Sequence, residues 1–366
     1  MMEKNAKIYV AGHRGMVGSA IVRELQRQGY TNIVTRTHKE LDLTRQDAVE
    51  KFFAAEKPEY VFLAAAKVGG IVANQNALAD FMYDNMILEM NTIHSAWKNG
   101  CKKVEFLGSS CIYPRMAQQP MKEEALLTSE LEYTNEPYAI AKIAGLKMCE
   151  SFDIQYGCNY VAVMPTNLYG PNDNFHLENS HVLPAMIRKV YLAKCLNEND
   201  WDAVRKDIDL RPVEGVNGKN TETEILDKLA KFGIAPDSVT LWGTGTPMRE
   251  FLWSEEMADA SVYVLLNVNF KDTYTPGEKE IRNCHINVGT GKELSIKEVA
   301  EKIIKEIGFK GELRWDSTKP DGTPRKLTDV TKLHDLGWHH KVEIDEGIHR
   351  LFEWYKKGIC INHQTV

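Results

Sequence analysis

Tyr138 and Lys142 stand four residues apart in the run Glu136-Pro137-Tyr138-Ala139-Ile140-Ala141-Lys142. On a helix, residues at i and i+4 share a face, with Cβ atoms roughly 6 Å apart. Pro137 suits the first turn of a helix, where its missing N–H would have no intrahelical partner in any case. The phenol and the ammonium therefore project together from the start of one helix. A neighbouring ammonium favours the phenolate and draws a tyrosine pKa down from about 10 toward neutrality. Tyr138 can then give or take a proton at a substrate oxygen. Ser109, in Gly108-Ser109-Ser110-Cys111, is placed to hold a carbonyl against it. By itself Tyr-x-x-x-Lys also occurs on ordinary solvated helix faces, so its weight depends on the elements around it.

Those elements alternate. Short apolar runs at Ala6–Ala11, Asn32–Thr35, Tyr60–Ala65, Val104–Leu107 and Tyr160–Met164 read as strands. Between them lie helical stretches: one ending at Gly29, then Ala48–Glu56, Ala77–Asn99 and Tyr138–Tyr156. The strands lack polar alternation, which predicts a parallel sheet covered on both faces. The expectation is an α/β chain: a Rossmann-type doubly wound parallel sheet over residues 1–168, with return segments near 250–288. A smaller C-terminal α/β lobe, residues 169–366, follows. In it Val182–Cys195 reads as a helix, Val239–Trp242 and Cys284–Val288 as strands, and Ser254 and Ser295 as helix caps. Residues 198–238 read as a hydrophilic insertion with one amphipathic piece, Glu224–Phe232; it is a lid, an oligomer contact or a passive surface segment. In open α/β sheets ligands bind at the carboxyl ends of the strands.

With 43% hydrophobic and 26% charged residues, the 366-residue chain can build a sizeable core. Its net charge of −6 argues against a general nucleic-acid binder. Seven scattered cysteines without a Cys-x-x-Cys point to reduced thiols, with neither a disulfide framework nor a metal site. The longest apolar stretch, Tyr60–Ala73, is too short for a bilayer and contains Lys67. A soluble cytoplasmic protein is expected.

Gly12-His13-Arg14-Gly15-Met16-Val17-Gly18 follows the first strand and opens the first helix. Glycines there let the backbone approach a pyrophosphate, which a helix N-terminus favours. The second strand ends in Thr35-Arg36-Thr37-His38, where an NAD site usually has an acid for the ribose hydroxyls. Arg36, with Arg14, suits a 2′-phosphate and favours NADP(H). Glu40 is the competing signal for NAD(H), and Asp42-Leu43 is placed for the adenine edge.

Together, the glycine spacing, the Ala64-Ala65-Ala66 strand end, the Ser109-Ser110 pair and Tyr-x-x-x-Lys resemble the extended short-chain dehydrogenase/reductase family. Five blocks narrow the likeness to its GDP-L-fucose synthase branch: Ala65 to Ile71, Leu107 to Pro114, Met164 to Pro171, Trp242 to Phe251 and Lys319 to Lys326. The resemblance covers nearly the whole chain. It implies a GDP-sugar substrate, NADP(H) and a homodimer built on the helices Ala77–Asn99 and Tyr138–Tyr156. It also implies cofactor contacts from residues 12–18 and from Arg36, Thr37, His38, Lys39, Glu40 and Leu41. Further contacts fall to Leu107, Gly108, Ser109, Ser110, Tyr138, Lys142, Pro165, Thr166, Asn167, Leu168 and His181.

The implied chemistry has two parts. Reduction of a C4 ketone needs a proton from Tyr138, with Lys142 lowering its pKa and Ser109 binding the carbonyl. Epimerisation at C3 and C5 needs enolate stabilisation and two further groups on opposite faces, and the resemblance points to Cys111 and His181 without fixing which is base and which acid. By residue type alone, Cys111 equally reads as a small core residue and His181 as structural. For the substrate the family positions are Arg188, Lys189, Trp242, Arg249 and Asp321. Lys189 stands where the family often has Arg, so a bidentate phosphate grip is weaker there. A 4,6-dehydratase generally carries Thr-Asp-Glu in place of Ser110-Cys111-Ile112. A 4-epimerase keeps NAD(H) bound through its cycle, and a non-enzymatic NADP sensor often loses the Tyr–Lys pair.

Overall fold

The apolar run Ile8-Tyr9-Val10-Ala11 forms β1 (Ile8–Ala11), and every residue in it is buried. Burial on both faces is what a central parallel strand requires. In the computed structural model, which describes residues 2–177, 179–319 and 321–360, this strand lies inside a six-stranded parallel sheet. Its other members are β2 (Ile33–Val34), β3 (Tyr60–Leu63), β4 (Lys103–Leu107), β5 (Tyr160–Pro165) and the strand Ile286–Val288. The spatial order is β2, β1, β3, β4, β5, Ile286–Val288, and each adjacent pair is parallel.

Alternate side chains of each strand enter different cores. Ile8 and Val10 join Val161 and Val163 against α1 (Met16–Arg27) and the helix Ser254–Asn267. Tyr9 and Ala11 join Val104, Phe106 and Ala162 against α2 (Gln46–Glu56), α4 (Leu78–Lys98) and α5 (Glu136–Tyr156). A short helix, α3 (Ile71–Asn76), precedes α4. The sheet is thus doubly wound, as expected. The expected strands at Ala6, Asn32 and Ala65 are shorter at those ends. Lys103 extends β4 by one residue at its start. It is buried, and its Nζ donates to the carbonyls of Leu265 (2.6 Å) and Val264 (3.3 Å) at the end of the helix Ser254–Asn267. Cations suit helix C-termini; burial pulls this ammonium down to about 8.

The chain divides into two compact units. The first comprises residues up to Leu168, Glu250–Lys292 and Lys326–Lys341; the second comprises Tyr169–Arg249, Glu293–Arg325 and the chain from Val342. Within the second, Ser238–Trp242 and Glu312–Asp316 pair in parallel. Its helices include α6 (Val182–Asn197), α7 (Trp201–Leu210) and α8 (Glu222–Lys231). The hydrophilic segment 198–238 therefore holds two helices, where one was expected. Asp200 caps α7 by accepting from the Ala203 N–H at 3.1 Å, and Val204 and Ile208 bury its inner face. Thr221 and Glu224 form a capping box on α8. No helix among the described residues is long and apolar enough to cross a membrane.

Candidate active site

β1 runs into a turn that only glycine can build. Gly12 has φ +80, and a Cβ there would lie 2.8 Å from the backbone of Ala65. A Cβ on Gly18 would lie 2.2 Å from the Gly12 carbonyl oxygen. Gly15 is the N-cap of α1, so no side chain caps that helix. Around the turn, Glu40 accepts from the Thr37 N–H (2.7 Å) and hydroxyl (2.8 Å). Those bonds, with the charges of Arg36 and Arg14, hold its carboxyl below the usual range. Arg36 is not the free cation that the sequence reading expects. It donates to the Thr35 carbonyl (2.8 Å) and to Glu56 (2.5 Å), with its guanidinium over the Phe52 ring. Asp42 accepts from the Thr44 N–H (3.0 Å) and hydroxyl (2.7 Å), and Leu41 packs in the core rather than lining a surface. His38 and Lys39 are exposed. The His13 ring is drawn below its ordinary pKa by burial and by Arg14.

β4 delivers the catalytic candidates. Past Leu107, Gly108 donates to the Val163 carbonyl (2.8 Å), and Ser109 opens a 3-10 turn, Ser110–Ile112. The Ser109 hydroxyl accepts from the Cys111 N–H (3.2 Å) and hydrogen-bonds to the Tyr138 phenol. Tyr138 lies in the first turn of α5, and its ring meets Phe81 edge-on at 6.5 Å. Lys142 is nearly fully buried one turn on.

Here the expected electrostatics is reversed. Burial pushes the Tyr138 phenol above its ordinary value, and Cys111 and Glu89 push the same way. Lys142 Nζ lies 5.8 Å from the centre of the Tyr138 ring but is held by Glu89 (3.0 Å) and by the Leu107 carbonyl (2.9 Å). Glu89 is fully buried on α4, where burial raises its carboxyl, and its pairing with Lys142 opposes the ammonium's field at the phenol. Tyr138 stays protonated at neutral pH and is an acid by construction. Sequence reasoning missed Glu89; a lone carboxylate on the buried side of an apolar helix was the available signal.

Cys111 is the second departure. Its Sγ accepts from Lys326 Nζ (3.3 Å) and Asn135 Nδ2 (3.3 Å). Burial raises a thiol, but the Lys326 charge and hydrogen bonds from Ser109, Lys326 and Asn135 win, holding it below its ordinary value. Neither Lys326 nor Asn135 was assigned a role from sequence. The first unit thus brings Ser109, Cys111, Tyr138 and Lys142 together. Beyond β5, Thr166 donates its N–H to the Val288 carbonyl (3.0 Å), and Asn167 Nδ2 donates to the Glu250 carbonyl (2.8 Å). His181 belongs to the second unit, exposed at the N-cap of α6.

The remaining substrate candidates lie in the second unit and divide sharply. Arg188 is corrected to a structural role. It is fully buried, with Nε on Asp207 (2.8 Å), Nη1 on the Phe175 carbonyl (3.2 Å) and Nη2 on the Arg211 carbonyl (2.5 Å). With each nitrogen engaged and the side chain wholly out of reach of solvent, Arg188 is closed to a diphosphate. Removing Asp207, which also binds Tyr355, would leave a buried guanidinium without its counter-ion. Asp207→Ala should therefore cost about 3–5 kcal/mol of stability, read as a lower urea midpoint. Lys189 is buried, its Nζ 3.4 Å from the Thr240 carbonyl, and burial lowers it to about 8. Asp321 accepts from the Thr244 N–H (2.9 Å) and hydroxyl (2.7 Å), so it shapes a turn. Arg249 donates to the Met248 carbonyl (2.8 Å) and is half-buried. Trp242 is 60% exposed, with Lys319 Nζ 5.6 Å from its ring centre. An indole that is not core is free to stack.

Residues 8–211 and 208–289 match the profile of the NAD dependent epimerase/dehydratase family. The chain belongs to this family. GDP-L-fucose synthase 1 of Arabidopsis thaliana is 51% identical over 360 residues, covering 98% of this chain and 96% of that one. GDP-L-fucose synthase of Escherichia coli K12 is 48% identical, over 95% and 96%. Among solved structures, a GDP-mannoheptose C4 reductase from Campylobacter jejuni with NADP bound is 44% identical and superposes with a TM-score of 0.86, over 97% and 100%. An epimerase/dehydratase of this family uses a nicotinamide dinucleotide. The glycine turn fits that group. Its two crowded glycines let a pyrophosphate reach backbone at the start of α1, and Gly12, His13, Gly15, Met16 and Val17 would hold it.

Proposed function

We propose that the chain catalyses the NADPH-dependent 3,5-epimerisation and 4-reduction of GDP-4-keto-6-deoxy-D-mannose to GDP-L-fucose. The observation that carries this reading is the gathering of Ser109, Cys111 and Tyr138 at the end of β4 and the start of α5. A plain ketone reductase needs the serine and tyrosine; a primed thiol beside them is what proton abstraction requires. Ser109 and Tyr138 hold the C4 carbonyl. With the oxygen so held, the protons on C3 and C5 become acidic. At each carbon Cys111 takes the proton from one face and His181 delivers another to the opposite face. Tyr138 then gives its proton to the C4 oxygen as the ketone is reduced. When bound, NADPH supplies the hydride.

The preference for NADPH rests on Arg14 in the glycine turn and on Arg36, whose guanidinium would exchange Glu56 for a 2′-phosphate, with Glu40 engaged by Thr37. We place cofactor binding in the first unit and GDP binding in the second. There Trp242 stacks on guanine, and Arg249 meets the diphosphate. A homodimer formed on α4 and α5 accounts for the exposed Tyr83, Ile154 and Tyr156 on those helices. Cys101, Cys111, Cys149, Cys158, Cys195 and Cys284 are free thiols, which fits the cytoplasm.

Incubating the protein with the keto sugar and NADPH in D₂O tests the reading. NMR should show GDP-L-fucose deuterated at C3 and C5; no NADPH consumption would falsify it. A second reading, a C4 reductase of GDP-heptoses, is favoured by the 44% identical reductase. It predicts reduction of a keto-heptose without deuterium at C3 and C5.

A further inference from the structure

We propose that Lys326 and Asn135 form a donor pocket that presents Cys111 as a thiolate, making Lys326 the positioning residue for proton abstraction. The inference rests on the reading of Cys111 given above. In the step it serves, the substrate's C–H bond breaks and the proton joins sulfur. The electron pair moves toward the C4 oxygen held by Ser109 and Tyr138. A thiolate in a partly dry site needs charge-assisted donors, and sulfur here receives two side-chain ones at 3.3 Å from separate segments. The groups around Cys111 are Lys326 from the strand Arg325–Lys326, Asn135 before α5, Tyr138 in its first turn, and Ser109 in its own turn.

The Lys326 segment is fixed independently of the thiol. The Leu327 carbonyl accepts from the Met121 N–H (2.7 Å), and the Leu327 N–H donates to Gln119 (2.8 Å). Thr328 gives its N–H (2.9 Å) and hydroxyl (2.6 Å) to the buried Glu250, whose other oxygen accepts from the Thr290 (2.6 Å) and Gly291 (2.7 Å) N–H groups. A cation reached from so constrained a backbone is pre-organised rather than recruited.

Peptide-resolved alkylation of Cys111 by iodoacetamide, without substrate, measures its thiolate across pH. The wild-type profile should have its midpoint below the ordinary thiol value of about 8.5. Lys326→Met should lower the pH 7 rate about tenfold, Lys326→Arg should retain most of it, and Asn135→Ala should lose less than Lys326→Met. Superimposable wild-type and K326M profiles overturn the proposal. So does equal loss in K326M and K326R with a shared drop in melting temperature, which would mark packing alone. Because no sugar is present, an unshifted profile rejects the pocket while deuterium exchange separately decides the reaction.

Discussion

Tyr138→Phe should slow NADPH oxidation by the keto sugar about 10²–10⁴-fold, the usual range for losing a positioned general acid. The substitution removes one oxygen and keeps the ring, so the edge-on contact with Phe81 survives and NADPH affinity should change little. Deuterium exchange at C3 and C5 should also slow, by about 10², since the enolate loses one of two donors while Ser109 remains. Stopped-flow absorbance at 340 nm and NMR exchange measure the two effects separately. The pH dependence follows from burial, which holds the phenol above its ordinary value. The acid form therefore persists through neutral and mildly alkaline pH, and reduction should not fall there because of this group. A loss of only a few fold would assign proton delivery elsewhere.

Cys111→Ser should produce the opposite pattern. A serine hydroxyl is not a base at working pH, so exchange at C3 and C5 should fall about 10²–10⁴-fold. Reduction of an already epimerised 4-keto sugar should persist, because Ser109, Tyr138 and Lys142 are untouched. In the native protein, exchange should rise as pH passes the lowered thiol pKa and level off above it, since only the thiolate accepts a proton. It should fade as pH drops below that value. Unchanged deuterium incorporation in the serine variant would remove Cys111 from the mechanism.

The fold was readable because β1, β3 and β5 are apolar runs; β4 is buried at every position although it carries Lys103 and Glu105. The limits of β2 were not readable, because an edge strand of two half-buried residues carries little signal. α7 was missed although Asp200, Trp201, Val204 and Ile208 offered a cap and a helical spacing; the charge around them dominated the reading. In the site, Tyr138 and Lys142 are four residues apart and helical spacing sufficed to pair them, whereas Ser109, on another element, was joined to them by the resemblance. Glu89 and Lys326 reach it from distant segments, and only the tertiary fold shows that one offsets Lys142 while the other meets Cys111. Arg188 shows the converse error: a cation at a plausible position, with no signal in its neighbours that Asp207, nineteen residues on, would claim it.

The interleaving of the two units has a consequence for how the protein is made. β5 pairs with Ile286–Val288, and Lys326 lies 215 residues from the thiol it meets. A ribosome therefore releases Ser109, Cys111 and Tyr138 while their sheet still lacks its last strand. Such non-local closure slows folding and leaves an unpaired strand edge for its duration. Truncation after Leu168 would yield neither a free-standing cofactor module nor a primed cysteine. Chemical competence arrives late in translation, once Ile286–Val288 and Lys326 have left the ribosome.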